Sequence, residues 1–160
     1  MADRDPAMVR PAGSVDAVSD DLHPTISTRL AGAGQRYTSG RRELIEVLAR
    51  TDRPLTAAEI GSAGDLSQSS AYRNLAVLES AGVVHRIAGS DEFARFELAE
   101  DLTDHHHHLI CERCGSVADF TLADGLELAL ESAMGHVAAS TGFIADRHRL
   151  DLLGRCATCQ

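Results

Sequence analysis

The 160-residue chain contains no tryptophan, and four phenylalanines and two tyrosines are its whole aromatic content. A core built almost without large rings is aliphatic and thin, so the length suits one ordinary domain or two small ones that share stabilisation. Lysine is missing as well. All 15 basic residues are arginine, the planar, multiply donating cation that suits phosphate and guanine. No apolar run approaches the roughly 20 residues of a membrane-spanning helix, and nothing N-terminal resembles a secretory signal. These absences point to a soluble, cytoplasmic protein without a membrane partner. In a reducing compartment, paired cysteines are read as metal ligands before disulfides.

What the chain does have is concentrated in residues 104–115, DHHHHLICERCG. Successive side chains of an extended strand face opposite ways, so His105 and His107 look to one side while His106 and His108 look to the other. One strand can thus serve two metal sites. Cys111 and Cys114 have the spacing of half a tetrahedral zinc site, and the chain closes on a second half, Cys156-Ala-Thr-Cys159. Four cysteines make two pairs with none left over. Structural zinc contributes on the order of 10 kcal/mol to the folding of a small domain, which a thin C-terminal domain needs.

The net charge of −9 argues at first against a nucleic-acid partner. Its distribution reverses the argument. Residues 1–25 hold 2 Arg and 5 acids (−3), residues 26–90 hold 8 Arg and 6 acids (+2), and residues 91–160 hold 5 Arg and 13 acids (−8). Only the middle segment is positive, and cations held by the acidic, His-rich end would offset part of its repulsion toward DNA.

Taken in order, residues 1–25 mix Pro, Gly, Asp and Ser without a sustained apolar period and read as a disordered leader. A helix stripe comes next at Leu44, Ile45, Val47 and Leu48, begun near Thr38 or Ser39 and stopped by Asp52-Arg53-Pro54. Thr56-Ala57-Ala58-Glu59 is a capping box opening a short second helix. Ser67 caps a third, whose buried face is Ala71, Leu75 and Leu78 and whose exposed face carries Ser69, Ser70, Tyr72 and Arg73. Residues 83–87 and 93–98 form two strands joined by Ala88-Gly89-Ser90-Asp91 as a hairpin. Three helices and a hairpin make a winged helix-turn-helix over residues 26–98. With the third helix in a major groove, Arg73 reaches guanine, Tyr72 lies against a thymine methyl and the serines hold phosphate. Arg36, Arg41 and Arg42 flank the first helix, where they can contact the backbone or a narrow minor groove.

Residues 99–160 form the metal-binding part: the His-bearing strand, a second strand at 116–120, a helix over 123–141 ended by Gly142, and a last strand at 147–153 carrying His148. So little secondary structure cannot close a core alone, which predicts a homodimer. The fold class expected is α+β, an N-terminal winged helix-turn-helix domain followed by a small α/β dimerisation domain with structural zinc.

The segments QRYTSGRRELIEVL, SSAYRNLAVLESAGVV, HHHHLICERCG and GRCATC resemble the ferric uptake regulator family of metal-dependent repressors from about Arg29 to Cys159. The resemblance implies a homodimer that binds a palindromic double-stranded DNA operator when metal is bound. It assigns Cys111, Cys114, Cys156 and Cys159 to a structural Zn2+, and His85, Glu97, His106 and His108 to a regulatory Fe2+, Zn2+ or Mn2+. A further site falls on His105, His107, Glu131 and His148, with Asp119 held as a possible extra ligand. Tyr72 and Arg73 match base-contacting positions, and Arg36 a minor-groove one. The chain departs from the family pattern at Asp52-Arg53-Pro54-Leu55, where iron-type members often have a histidine, and it has no fifth cysteine for a thiolate sensor site. An all N/O sensor does not separate iron, manganese and zinc by softness. Three other functions are weighed against this one. A zinc hydrolase lacks a His-Glu-x-x-His helix, a metal buffer would leave the arginine-bearing helix without a purpose, and a peroxide sensor of the same fold would oxidise a histidine ligand.

Overall fold

The computed structural model describes residues 9–11, 22–88 and 92–160. Its first half is helical because short apolar stripes meet at one small sheet. Helix α1, Leu22–Gly32, buries Leu22, Ile26 and Leu30 at intervals of four. This helix corrects the expectation of a disordered leader through residue 25. Its stripe is one residue wide and broken by Pro24, which is tolerated in the first turn where no backbone N–H needs an internal partner. His23 lies with Nδ1 2.6 Å from the Tyr37 hydroxyl and ties α1 to the loop that leads into the second helix.

Helix α2, Ser39–Ala49, is capped by Thr38 and buries Leu44, Ile45, Val47 and Leu48. A two-residue strand β2, Leu55–Thr56, leads into α3, Ala57–Ala63, through the expected capping box: Thr56 accepts from the Glu59 amide while Glu59 accepts from the Thr56 amide. Helix α4, Gln68–Ser80, capped by Ser67, buries Ala71, Leu75 and Leu78. Strands β3, Val84–Ala88, and β4, Ala94–Leu98, pair antiparallel, and β2 adds to the far edge of β4. The hairpin turn expected at residues 88–91 falls, from residue 89 on, outside the described residues. One continuous, largely aliphatic cluster from Leu22 to Leu98, with Phe96 its one buried ring, fills the space between the four helices and this sheet.

A single 3₁₀ turn, Glu100–Leu102, connects to the second half. Strands β5, His107–Cys111, and β6, Val117–Leu122, pair antiparallel, and α5, Asp124–Thr141, crosses over to β7, Asp151–Gly154, which runs parallel to β5. A parallel neighbour requires such a crossover. Gly142, at φ +70°, closes α5 in the left-handed conformation that costs glycine little. Two strand expectations shift. His105 and His106 precede β5, and residues 147–150 run beside β5 with a single bond, His108 N–H to the Leu150 carbonyl, before the ladder begins. Within the segment expected to be disordered, Val9–Pro11 form a strand, β1, antiparallel to β6.

The halves touch through Ile87 of β3, which packs with Ile110 and Val117 of the second sheet. Helix α5 contains no buried residue. Among the described residues, no helix is long and apolar enough to cross a membrane.

Candidate metal centres and nucleic-acid interface

The two Cys-x-x-Cys segments meet because β7 lies beside β5, bringing the chain end to the turn after Cys111. One sulfur from each of Cys111, Cys114, Cys156 and Cys159 lies within 4.8 Å of all the others. Cys114 Sγ and Cys156 Sγ are 3.7 Å apart, and no disulfide joins any of the four. A zinc ion with about 2.3 Å bonds to tetrahedral thiolates separates its sulfurs by about 3.8 Å, so the spacing fits zinc. The Cys156 amide donates to Cys111 Sγ at 3.3 Å and, with the amides of Cys114 and Arg113, lowers that thiol to about 6. A ligand sulfur must lose its proton, and this bond favours the loss.

The histidine run divides as strand alternation dictates, although only two of its members lie in β5. His106 and His108 face β4 of the winged-helix half. Their Nε2 atoms lie 3.1 and 3.0 Å from one oxygen, Glu97 Oε2, and the Asp119 carboxylate of β6 completes a four-residue group within 4.8 Å. Asp119 Oδ1 is shut off from solvent, 4.0 Å from His108 Nε2, and accepts no hydrogen bond. A buried carboxylate oxygen without a donor is costly and is what a cation would satisfy. His105 and His107 face the other way and meet Glu127 of α5 and His148. The three ring nitrogens lie 2.9 to 3.1 Å from the two Glu127 oxygens. Bonds of about 2.1 Å to nitrogen and oxygen put neighbouring ligand atoms about 3.0 to 3.4 Å apart, so both donor sets fit a divalent ion.

The remaining ring nitrogens of three histidines are anchored. His106 Nδ1 lies 2.8 Å from the Asp104 carbonyl, His108 Nδ1 3.2 Å from Asp151 Oδ1, and His105 Nδ1 against Glu100. Such bonds fix which nitrogen faces inward and in which direction. The first cluster is strongly polarised. Burial favours neutral Glu97, but the hydrogen bonds from His106 and His108 outweigh it and hold the carboxyl at about 2. The same bond to Glu97 lifts His106 to about 9 against the opposing pull of burial. Burial pushes Asp119 up to about 6. For Glu127, burial is outweighed by the His107 hydrogen bond and the charges of the surrounding rings, and its carboxyl stays below the usual value.

Two expected ligands stand apart. His85 sits on β3 directly across from Glu97 and lines a cleft of about 570 Å³ with Glu97, His106 and His108, but its Nε2 faces Arg147 Nη1 at 3.5 Å. Asp119, held in reserve from the sequence, occupies the fourth place instead. Glu131 is exposed, four residues or about 6 Å along the helix beyond Glu127. Glu127, in the first turn of α5, is grouped with the three histidines, while Glu131 lines a cavity with His105 and Glu127 but lies outside that group. Sequence reasoning gave no role to Asp52, which lines a cavity with Glu97, His106 and Asp119 and raises the Asp119 carboxyl by its charge. Its signal was its place in the loop where the family often has a histidine.

On the other side of the winged helix, α4 exposes Ser69, Tyr72 and Arg73. Arg73 rests its guanidinium on the Ser69 carbonyl at 3.3 Å and on Ser70 Oγ at 3.4 Å, long bonds that a base edge can displace. Ser70 belongs to the cap network, accepting from Ser67 Oγ at 2.9 Å. Arg36 is exposed. Arg41 donates to the Arg36 carbonyl and to Gln35 Oε1, which ties it to the loop bearing Arg36.

Three comparisons agree with this architecture. The family model described as ferric uptake regulator family matches residues 32–153. The peroxide-responsive repressor PerR of Staphylococcus aureus is 30% identical over 151 residues, covering 91% of this chain and 96% of that protein. Among solved structures, the ferric uptake regulator of Pseudomonas aeruginosa with manganese superposes with a TM-score of 0.65 at 26% identity, over 81% of this chain and 96% of that one. The Helicobacter pylori ferric uptake regulator, whose structure reveals three functional metal binding sites, reaches a TM-score of 0.69 over 94% and 96% of the two chains. At 22% identity it supports the fold alone. The family model spans most of the chain and PerR is 30% identical over 91% of it, so this chain belongs to the ferric uptake regulator family.

Proposed function

We propose that this protein is a metal-responsive transcriptional repressor in which the Glu97, His106, His108 and Asp119 cluster is the regulatory site. The carrying observation is the origin of those donors. Glu97 comes from β4 of the DNA-binding half, while His106, His108 and Asp119 come from the metal-binding half. A divalent ion held there supplies positive charge shared by donors of both halves, and so a link that depends on metal concentration. In its absence Glu97 is held by the two imidazoles alone. His85, across from Glu97, is the nearest further imidazole on the winged-helix side. The tetrathiolate cluster is read as structural zinc, and the His105, His107, Glu127 and His148 cluster as a second labile site. Arg73 and Tyr72 read bases, and Arg36 reaches the flanking groove. The working form is a cytoplasmic homodimer joined through α5 and β7, which leave Leu128, Val137, Leu152 and Leu153 exposed.

Operator-type DNA binding measured by anisotropy tests the reading. The protein is stripped of labile metal with its tetrathiolate zinc retained, and Fe(II), Mn(II) or Zn(II) is added anaerobically. Binding switched on by one of them names the corepressor, and linkage requires operator DNA to tighten that metal by the same factor. Equal binding without added metal defeats the sensor assignment. The similarity to PerR favours a second reading, response to peroxide. Mass spectrometry after peroxide treatment of the Fe(II) form would then find 2-oxo-histidine at His106 or His108, and unmodified histidines would dismiss it.

A further inference from the structure

We infer that Glu100 is a positioning residue, orienting His105 toward the second histidine cluster, and that with Asp101 it makes the one-turn connector the link between that cluster and the winged helix. The inference rests on reading the cluster as a metal site.

The geometry begins at His105. Its Nδ1 is paired with the Glu100 carboxylate, and its Nε2 lies 3.1 Å from Glu127 Oε1. A carboxylate that holds one imidazole nitrogen leaves the other a better donor to a cation and fixes the ring's direction. His107 of the same cluster has no such support, for its Nδ1 is buried without a partner. His105 is also the more exposed ring, its side chain 36% accessible against 1% for His107. Burial and its Nε2 contact with Glu127, at 2.9 Å, hold His107. The half-exposed His105 ring has Glu100 on its outer nitrogen besides Glu127 on its inner one.

Glu100 and Asp101 are consecutive residues of the 3₁₀ turn between the halves, and their carboxylates take different partners, His105 and Arg29. Asp101 forms a two-pronged pair with Arg29 of α1, with Oδ1 at 3.2 Å from Nη1. Arg29 Nη1 also donates to the Gly82 carbonyl at 2.8 Å, just beyond the end of α4. The Ala99 amide donates to the Val83 carbonyl at 2.9 Å. Shifting the turn to seat His105 therefore pulls on α1 and on the chain leaving the DNA-facing helix. A partly exposed pair such as Arg29 with Asp101 adds little stability, but its two-pronged geometry sets orientation.

The test uses the full-length chain with its tetrathiolate zinc, titrated with Zn(II) against a chromophoric chelator. Glu127→Ala removes one class of labile site, which identifies the cluster. If it removes none, the metal-site reading fails, independently of the role given to Glu100. With the class identified, Glu100→Gln weakens it by about 10- to 100-fold and leaves the class containing Glu97 unchanged, while Glu100→Asp recovers part of the loss. Equal affinity in the native chain and Glu100→Gln overturns the positioning role. For the link, the gain in operator affinity on filling this class is measured by anisotropy. Asp101→Asn keeps the Zn(II) affinity and loses most of that gain. A full gain in Asp101→Asn, or no gain in the native chain, overturns the link.

Discussion

At the scale of single residues, Glu97 carries the most. One of its oxygens serves both His106 and His108, so the three side chains form an ion-paired triad with the carboxyl at about 2 and His106 at about 9. Two pH effects result. The stability that His106 contributes is complete below its unfolded value of about 6.5 and is lost as pH rises through about 9. That from Glu97 is present above about 4.5 and is lost as pH falls through about 2. Metal affinity runs the other way from His106: the ring must give up its proton to become a ligand, so affinity at this site rises with pH toward 9 and binding releases protons. Calorimetry of metal uptake in buffers of different ionisation enthalpy counts them. Uptake without proton release at pH 7 would show that His106 is neutral before the metal arrives or is not a ligand, and the pH dependence argued for this site would fall. Glu127→Ala empties the second labile site and Glu131→Ala leaves it filled, as metal analysis after dialysis would show. On the DNA face, Arg73→Ala costs about 1 to 3 kcal/mol of operator binding at unchanged metal content. A metal buffer would show no such loss, and anisotropy with metal analysis separates the two.

At the scale of elements, what was legible in the sequence was what local chemistry decides alone. Thr38, Thr56 and Ser67 each cap a helix because a short side-chain oxygen satisfies an amide two or three residues on, whatever surrounds it. The alternation of residues 105–108 between two clusters needed only extended backbone, not the ladder that begins at His107. What was not legible depends on partners distant in sequence. Leu22, Ile26 and Leu30 make a helix because the core receives them. Val9–Pro11 is a strand because β6 has an open edge, and a three-residue segment ending in proline signals nothing by itself. Glu127 and Glu131 share a helix face, and only the placement of α5 chooses between them. The same reasoning predicts which elements depend on zinc. Strand β7 contributes no buried residue, and its end is held by the cysteines. Cys156→Ser therefore frees residues 147–160 while leaving the winged helix folded, which hydrogen exchange would register as lost protection confined to the second sheet. Leu75→Ala acts oppositely. It hollows the α4 core for about 2 to 5 kcal/mol and lowers the unfolding midpoint of the winged helix without releasing zinc.

At the scale of the whole molecule, the two halves are solved differently by the same chain. The first closes its own core around Leu44, Ile60 and Leu75, all fully buried. The second does not: 18 residues of α5 bury nothing, Val137 and Leu153 are each 65% exposed, and Ile144 is 84% exposed. A helix with apolar residues on an open face is stabilised by burial against a partner, and a stable pairing covers about 800 Å² on each copy. A second copy of this chain is the partner proposed. Val137→Glu with Leu153→Glu places charge in that face, and neither residue belongs to a metal-ligand set or to α4. Sedimentation equilibrium is expected to show a monomer that keeps its zinc. Its affinity for a single half-site should match that of the native protein, because α4 and Arg73 are untouched. For the full operator it should fall by about 100-fold or more, since the second half-site is no longer delivered by linkage to the first. A double variant that stays dimeric would move the interface elsewhere on the second half. A monomer that still binds the full operator at native affinity would mean that the two half-sites are read independently.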